Sequence, residues 1–202
     1  METPDLRYRF EGDLAATTGD HDLSGAGVSY VDGPEGSLAA SWAGYASTEF
    51  EAIGSAEPLT FCYWMRDSGT QSTWDDDLIW RITSDDGDAV GAFCDTDGEP
   101  FLFTSGSNTL DESETSVLDS EWHHIAFVYQ QRRNRMQLYV DGSRDYAIEY
   151  DDDLSGMDAT TLMFGNVSDG GFKQYDGEID DFRLYRRALS AAEIRQIAGA
   201  EQ

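Results

Sequence analysis

The residues of this chain best suited to chemistry are its carboxylates and a few aromatics set among polar neighbours. Trp74, Phe172 and Tyr175 fall in stretches that read as loops, with Tyr45 near a strand end. Aromatic faces hold the apolar side of a sugar ring, while carboxylates and amides hold its hydroxyls. Asp75, Asp76, Asn166, Asp169 and Gln174 stand beside those rings and offer such groups. The pattern predicts a ligand-binding site on the Trp74 loop and the Asn166–Tyr175 loop, although each residue taken singly is more simply a surface filler. Asp180 alternates with Phe182 and Leu184, which places it on a core-facing side. A carboxylate there needs a metal, an arginine or backbone amides. The histidines form no nucleophilic triad, because His123 and His124 are adjacent on a strand and His21 lies in a loop. Cys62 and Cys94 lack the His or Cys spacing of a zinc site, which leaves two buried thiols or one disulfide.

These residues sit in a chain of unusual charge. The sequence carries 26 Asp and 14 Glu against 12 Arg and one lysine, Lys173, for a net charge of −27. Runs such as Asp75-Asp76-Asp77 and Asp151-Asp152-Asp153 lie between apolar segments, where loops are expected. That much like charge destabilises a compact state in dilute buffer; in salt of about 1 M the screening length falls to roughly 3 Å. Asp-rich, Lys-poor composition is what a protein of an extreme halophile requires, and a dense calcium array is the functional alternative. Nucleic acid is excluded as a partner, since phosphates would meet a strongly negative surface. The three arginines Arg132, Arg133 and Arg135 are read as a solvated tip, or as a docking tip for an acidic neighbour or a second copy of the chain.

The elements that must position these groups are strands. His124 to Tyr129 and Met136 to Val140 are two apolar arms around a polar centre, a hairpin signal, and Asp141-Gly142 ends the second arm as a turn. Neither alternating set in the first arm is polar, so both of its faces should be covered, which implies a second layer. Further strands are predicted at Arg7–Phe10, Val28–Val31, Ser37–Trp42, Thr48–Ala52, Leu59–Arg66, Leu78–Thr83, Ala89–Cys94, Pro100–Thr104, Asp145–Tyr150, Thr161–Gly165 and Gly177–Tyr185, with Ala16–Gly27 as loop. Ser190-Ala191-Ala192-Glu193 is a capping box that opens a short helix to Ala198. At 202 residues this reads as a single domain, residues 1–202. No run approaches the roughly 18 apolar residues of a membrane span, so no membrane insertion is expected.

The segments YRFEGD (Tyr8 to Asp13), HDLSG up to Gly25, LTFCYWMR, WHHIAFVY, MQLYVDG, LMFGN and GEIDDFRLYRRALSAAEI resemble the laminin-G-like, concanavalin A-like family of lectin and adhesion domains. The resemblance implies an all-β, concanavalin A-like antiparallel β-sandwich or jelly roll with one short C-terminal helix. It implies carbohydrate or glycoprotein binding outside the cell, and calcium at a site where the N-terminal acidic loop meets the GEIDD strand. On this chain Glu11, Asp22, a carbonyl near Gly25 and Asp180 are the expected ligands, with an amide-bonded, metal-free Asp180 as the alternative. Glycosidases of this fold use an ExDxE or ExDxxE strand pattern. The nearest matches, Glu149-Tyr-Asp151-Asp-Asp153 and Glu178-Ile-Asp180-Asp181, leave it incomplete, so binding without catalysis is expected. Met1 to Asp5 is no signal peptide, and extracellular work without one suggests a virion surface protein, built into an oligomer or larger particle. A domain of a larger secreted protein or glycosidase and a purely structural subunit are the alternatives.

Overall fold

The computed structural model describes residues 2–51, 58–67, 77–85, 87, 89–104, 113–130, 133, 135–149, 159–165, 173–175 and 177–200. The strands are β1 (Leu6–Tyr8), β2 (Ala16–Thr18), β3 (Ser24–Asp32), β4 (Leu38–Glu51), β5 (Leu59–Asp67), β6 (Asp77–Ser84) and β7 (Ala89–Cys94). They continue with β8 (Pro100–Thr104), β9 (His123–Gln130), β10 (Arg135–Val140), β11 (Ser143–Glu149), β12 (Ala159–Gly165), β13 (Lys173–Gln174) and β14 (Gly177–Tyr185), and helix α1 (Ala191–Ala200) follows. The hydrogen-bonded order is β11-β10-β9-β5-β14-β4-β12-β6-β7-β8. All its pairings are antiparallel; only the short β13 joins β6 in parallel.

The sheet is curled upon itself. β3 runs along one edge of β4, and the other edge is shared by β14 at Ala40–Ser41 and β12 from Tyr45 to Glu51, so β4 passes from one half to the other. The Phe61 ring of β5 thereby lies 4.7 Å from the Trp80 ring of β6, and Trp80 also meets Phe182 of β14 at 5.5 Å. Phe61, Tyr63, Met65, Ile125, Phe127 and Leu138 from one half face Trp80, Ile82, Val90, Ala92, Leu102, Leu162 and Phe164 from the other in a single core. This is the jelly-roll sandwich expected of the aromatic, β-branched strands. The two ends of the strand order are also tied together. Asp145 of β11 accepts from the Ser113 hydroxyl (2.7 Å), the Glu114 amide (2.9 Å) and the Thr115 hydroxyl (2.5 Å), while the Ser113 amide donates to the Pro100 carbonyl of β8 at 3.2 Å.

The hairpin forms as its sequence predicts, with Leu138 opposite Phe127 and β9 covered on both faces. Asp141 and Gly142 both adopt positive φ (49° and 74°), which a two-residue hairpin turn requires and which Asp and Gly tolerate best. Ser190 and Glu193 form the capping box, with the Ser190 amide 2.8 Å from Glu193 Oε2 and the Glu193 amide 3.3 Å from Ser190 Oγ. The helix runs to Ala200 rather than ending at Ala198.

The segment expected to be loop is largely strand. Residues 16–27 hold β2 and the first half of β3, and β4 runs unbroken for 14 residues through the expected gap between Trp42 and Thr48. Gly25, Gly27 and Gly44 look like turn residues in sequence but serve a close approach of two backbones. A Cβ on Gly44 would collide with the Ala26 carbonyl, and one on Gly25 with the Tyr45 carbonyl.

Candidate functional site

Each half of the sandwich has an outer face, and the two are treated differently. Behind β5, β9, β10 and β14, the side chains of Cys62, Ala126, Val128, Tyr139 and Tyr185 are buried under Leu189, Ile194 and Ile197 of the helical segment. That face is sealed. The other outer face is formed by β4, β12, β6, β7 and β8, at the positions that alternate with the core residues Ala46, Leu162, Trp80, Ile82, Val90 and Leu102.

Register assembles this second face in rows. Ser47, Met163, Arg81, Gly91 and Phe103 lie side by side across five strands, with Glu49, Thr161, Thr83 and Ala89 in the row beside them and Tyr45 opposite Gly165. Ser47, Thr161, Met163, Arg81 and Thr83 are part-exposed and Glu49 is exposed, while Ala89 and Gly91 of β7 are buried. Tyr45, at 55% exposure, is the most open large apolar residue among those described. The far end of the face is aromatic, where Phe93 stacks on Phe101 (5.4 Å, 16°) and meets Phe103 edge-on (5.6 Å). Gly91 is itself buried and lies so close to β6 that a Cβ there would sit 2.8 Å from the Trp80 carbonyl. From β4 to β8 the sheet is about 19 Å across, and its part-exposed positions begin at β4, β12 and β6. A face with one free ring and hydroxyl, guanidinium and carboxylate groups around it is suited to laying down a sugar chain.

Of the residues predicted to bind ligand, only Gln174 and Tyr175 fall among the described ones. Trp74, Asp75, Asp76, Asn166, Asp169 and Phe172 lie outside the described residues. Gln174 is on β13, paired with Leu78. Tyr175 is a correction: it is fully buried in the core, not on a loop rim. Its ring occupies the space that a side chain on Gly177 would need. Tyr45, expected near a strand end, sits in mid-strand on the open face. Arg81, Met163, Phe101 and Phe103 were not singled out by sequence, and only the alternation within β6, β8 and β12 signals them.

The four expected calcium ligands do not meet. Gly25 pairs with Ala46 at one end of β3, whereas Asp32, at the other end, pairs with Leu38 beside Asp180. Seven residues of strand separate Gly25 from Asp32, about 23 Å. Asp22 accepts from the Ala16 amide at 2.8 Å. Glu11 does approach Asp180, but its Oε2 accepts from the Leu38 amide (3.2 Å) and its Oε1 from Arg9 (3.4 Å). Asp180 Oδ2 lies 2.8 Å from the Ser37 hydroxyl and Oδ1 accepts from the Asp181 amide at 2.7 Å. Burial raises the Asp180 carboxyl to about 7, against the pull of those two hydrogen bonds. Among the described residues no three His, Cys, Asp or Glu side chains come together as a cation cage. The four expected residues therefore do not form one cation cage, and Asp180 is held by the Ser37 hydroxyl and the Asp181 amide.

Among the described residues no paired carboxylates form on the open face either. Glu178 is ion-paired with Arg66 at 3.1 Å, and Asp181 is held between Arg7 and Arg183. Asp151 and Asp153 lie outside the described residues, while Glu149 ends β11 in the other half of the sandwich. His123 is clamped between Asp119 (3.0 Å) and Asp141 (2.9 Å), chiefly by the Asp141 hydrogen bond, and its pKa is raised to about 9. His124 is buried 5.4 Å from the Trp64 ring, and desolvation lowers it to about 4. Cys62 and Cys94 are free thiols on opposite faces of the sheet, one under the helix and one in the core. Burial pushes the Cys62 thiol up to about 12.

A curled antiparallel sandwich of this kind defines a concanavalin A-like, lectin-type domain. The chain belongs to the concanavalin A-like lectin/glucanases superfamily, whose laminin G model matches residues 39–195. In structure it is similar to domain 4 of AbnA, a GH43 extracellular arabinanase from Geobacillus stearothermophilus, solved in complex with arabinotriose: TM-score 0.75 at 19% identity, covering 98% of this chain and 100% of that one. The binding domain of botulinum neurotoxin serotype D/C is similar at TM-score 0.73 and 14% identity, covering 98% of this chain and 52% of its own. A structure of botulinum neurotoxin type C, whose cell entry depends on two ganglioside molecules, follows at TM-score 0.70 and 14% identity, over 98% and 50%. This chain thus spans about half the length of those toxin chains. No curated protein matches it in sequence.

Proposed function

We propose that this protein is a carbohydrate-binding module that works by recognition, and that its site is the open face of β4, β12 and β6. The observation that carries the reading is the asymmetry of the sandwich: helix α1 seals one outer face, and the other presents Tyr45 among part-exposed polar side chains. The arabinanase domain, similar over its whole length, supports a module of this size beside an enzyme in a larger secreted protein. The charge of −27 supports work in concentrated salt, where screening relieves repulsion between carboxylates. The test is titration calorimetry in molar salt with a panel of oligosaccharides, arabinotriose included. Saturable binding that weakens at least about tenfold in Tyr45→Ala, with an unchanged melting temperature, is expected. Binding that Tyr45→Ala leaves intact would move the site off this face.

A further inference from the structure

The open face sits in an electrostatic setting that discriminates between classes of glycan, and this inference rests on the preceding reading. Sialic acids, uronic acids and sulfated sugars are held by arginine forks or by amide nests that match their anionic groups. The rows described above contain one cation, Arg81, which already takes part in interactions within the chain. Glu49 lies two positions from Ser47 on the same face. Past the aromatic end, the turn from β7 to β8 carries Asp95, Asp97 and Glu99. The Glu99 carboxyl is raised by desolvation and then by the surrounding Asp95, Asp97, Asp145 and Glu114, in keeping with an acidic turn there.

Several arginines elsewhere are engaged by the protein's own carboxylates. Arg7 and Arg183 hold Asp181, Arg9 holds Glu11, Arg66 holds Glu178, and Arg187 holds Glu2 and Glu193. An anionic glycan arriving at this face would meet a protein of charge −27, with Arg81 the one cation among the described residues of these rows.

We propose that the open face takes uncharged glycans and turns away sialylated, uronic and sulfated ones. Selection against acid is then a property of the field around the face, not of a steric pocket, and it weakens as salt rises. The screening length falls from about 10 Å at 0.1 M to about 3 Å at 1 M. A neutral glycan, carrying no charge, is indifferent to that change.

The experiment compares matched pairs, lactose with sialyllactose and trigalactose with trigalacturonate, at about 0.1 M and about 1 M salt. At low salt the neutral member of each pair should bind at least about tenfold more tightly. At high salt the ratio should shrink through gain by the acidic member alone, and Glu49→Lys should raise acidic binding at low salt. Preferential binding of the acidic member at low salt, lost in Arg81→Gln, would overturn this inference and leave the module reading standing. A neutral preference that salt leaves unchanged would also overturn it, because discrimination would then be stereochemical. Binding of no glycan at either salt would overturn both.

Discussion

His123 offers a direct test of how the central hairpin is held. Its imidazole is only 14% exposed and bridges Asp119 on the approach to the hairpin and Asp141 in the turn at the hairpin's other end. The folded-state pKa, about 9, stands above the ordinary value of 6.5. Stability from this charge is therefore fully present below about pH 6.5 and is lost as pH rises through about 9. A shift of that size converts to a ceiling of about 3.4 kcal/mol. The two aspartates are 55% and 39% exposed, so solvent screens the pair, and about 1–2 kcal/mol is the reasonable expectation. Urea denaturation of the native protein and of His123→Gln, across pH 6 to 10 in moderate salt, reads this term as the difference between the two curves. The curves should converge as pH approaches 10, the native protein having lost its advantage. Parallel curves across that range would refute the charged clamp and leave His123 as a packing residue.

Three further perturbations probe the frame. Asp145→Ala removes the acceptor for three donors that tie β11 to the 113–115 segment, and should lower stability by about 2 kcal/mol by denaturant midpoint. Asp180 inverts the usual behaviour of a carboxylate: its folded pKa, about 7, exceeds the ordinary 3.8, so the stability it contributes is complete below about pH 4 and disappears as pH rises through 7. Asp180→Asn should flatten that part of the stability profile, and addition of calcium should not restore it. Gly44→Val places a branched side chain against the Ala26 carbonyl, and should cost more than about 2 kcal/mol while the exposed Ala43→Val stays near neutral in thermal melts.

Much of this architecture is legible in the sequence because its signals are local. Alternation and aromatic content mark β5 and β9, a dipeptide with two positive φ values marks the turn after β10, and a four-residue box marks the start of α1. The β3–β4 pair is not legible, since glycine used for close backbone approach is indistinguishable from glycine used for turning. Tyr175 misleads for a related reason: its neighbours are Lys, Gln and Asp, and only the fold reveals that the empty position at Gly177 receives its ring. The open face is the least legible feature. The apolar second side of β5 and β9 marks the covered half, but only the alternation within β6 and β12 hints at the open one, and nothing local says which element comes to rest where. The four expected calcium ligands do not gather because Gly25 lies at the far end of β3 from Asp180, a distance that motif likeness ignores.

Strand β14 occupies the middle of the sheet, between β5 and β4, with β1 also paired to it through Leu6 and Leu184. It is nevertheless the last strand of the described chain. A ribosome making this protein releases both halves of the sandwich before the strand that joins them, so the aromatic interior stays divided until β14 has been made. Folding is then governed by a late insertion with large sequence separation, a slow class of event. While β5 and β4 wait for that strand, their edges are open to neighbouring chains. Among the hazards such a waiting state faces is pairing with another copy of itself, and a surface dense in aspartate keeps those copies apart during that interval.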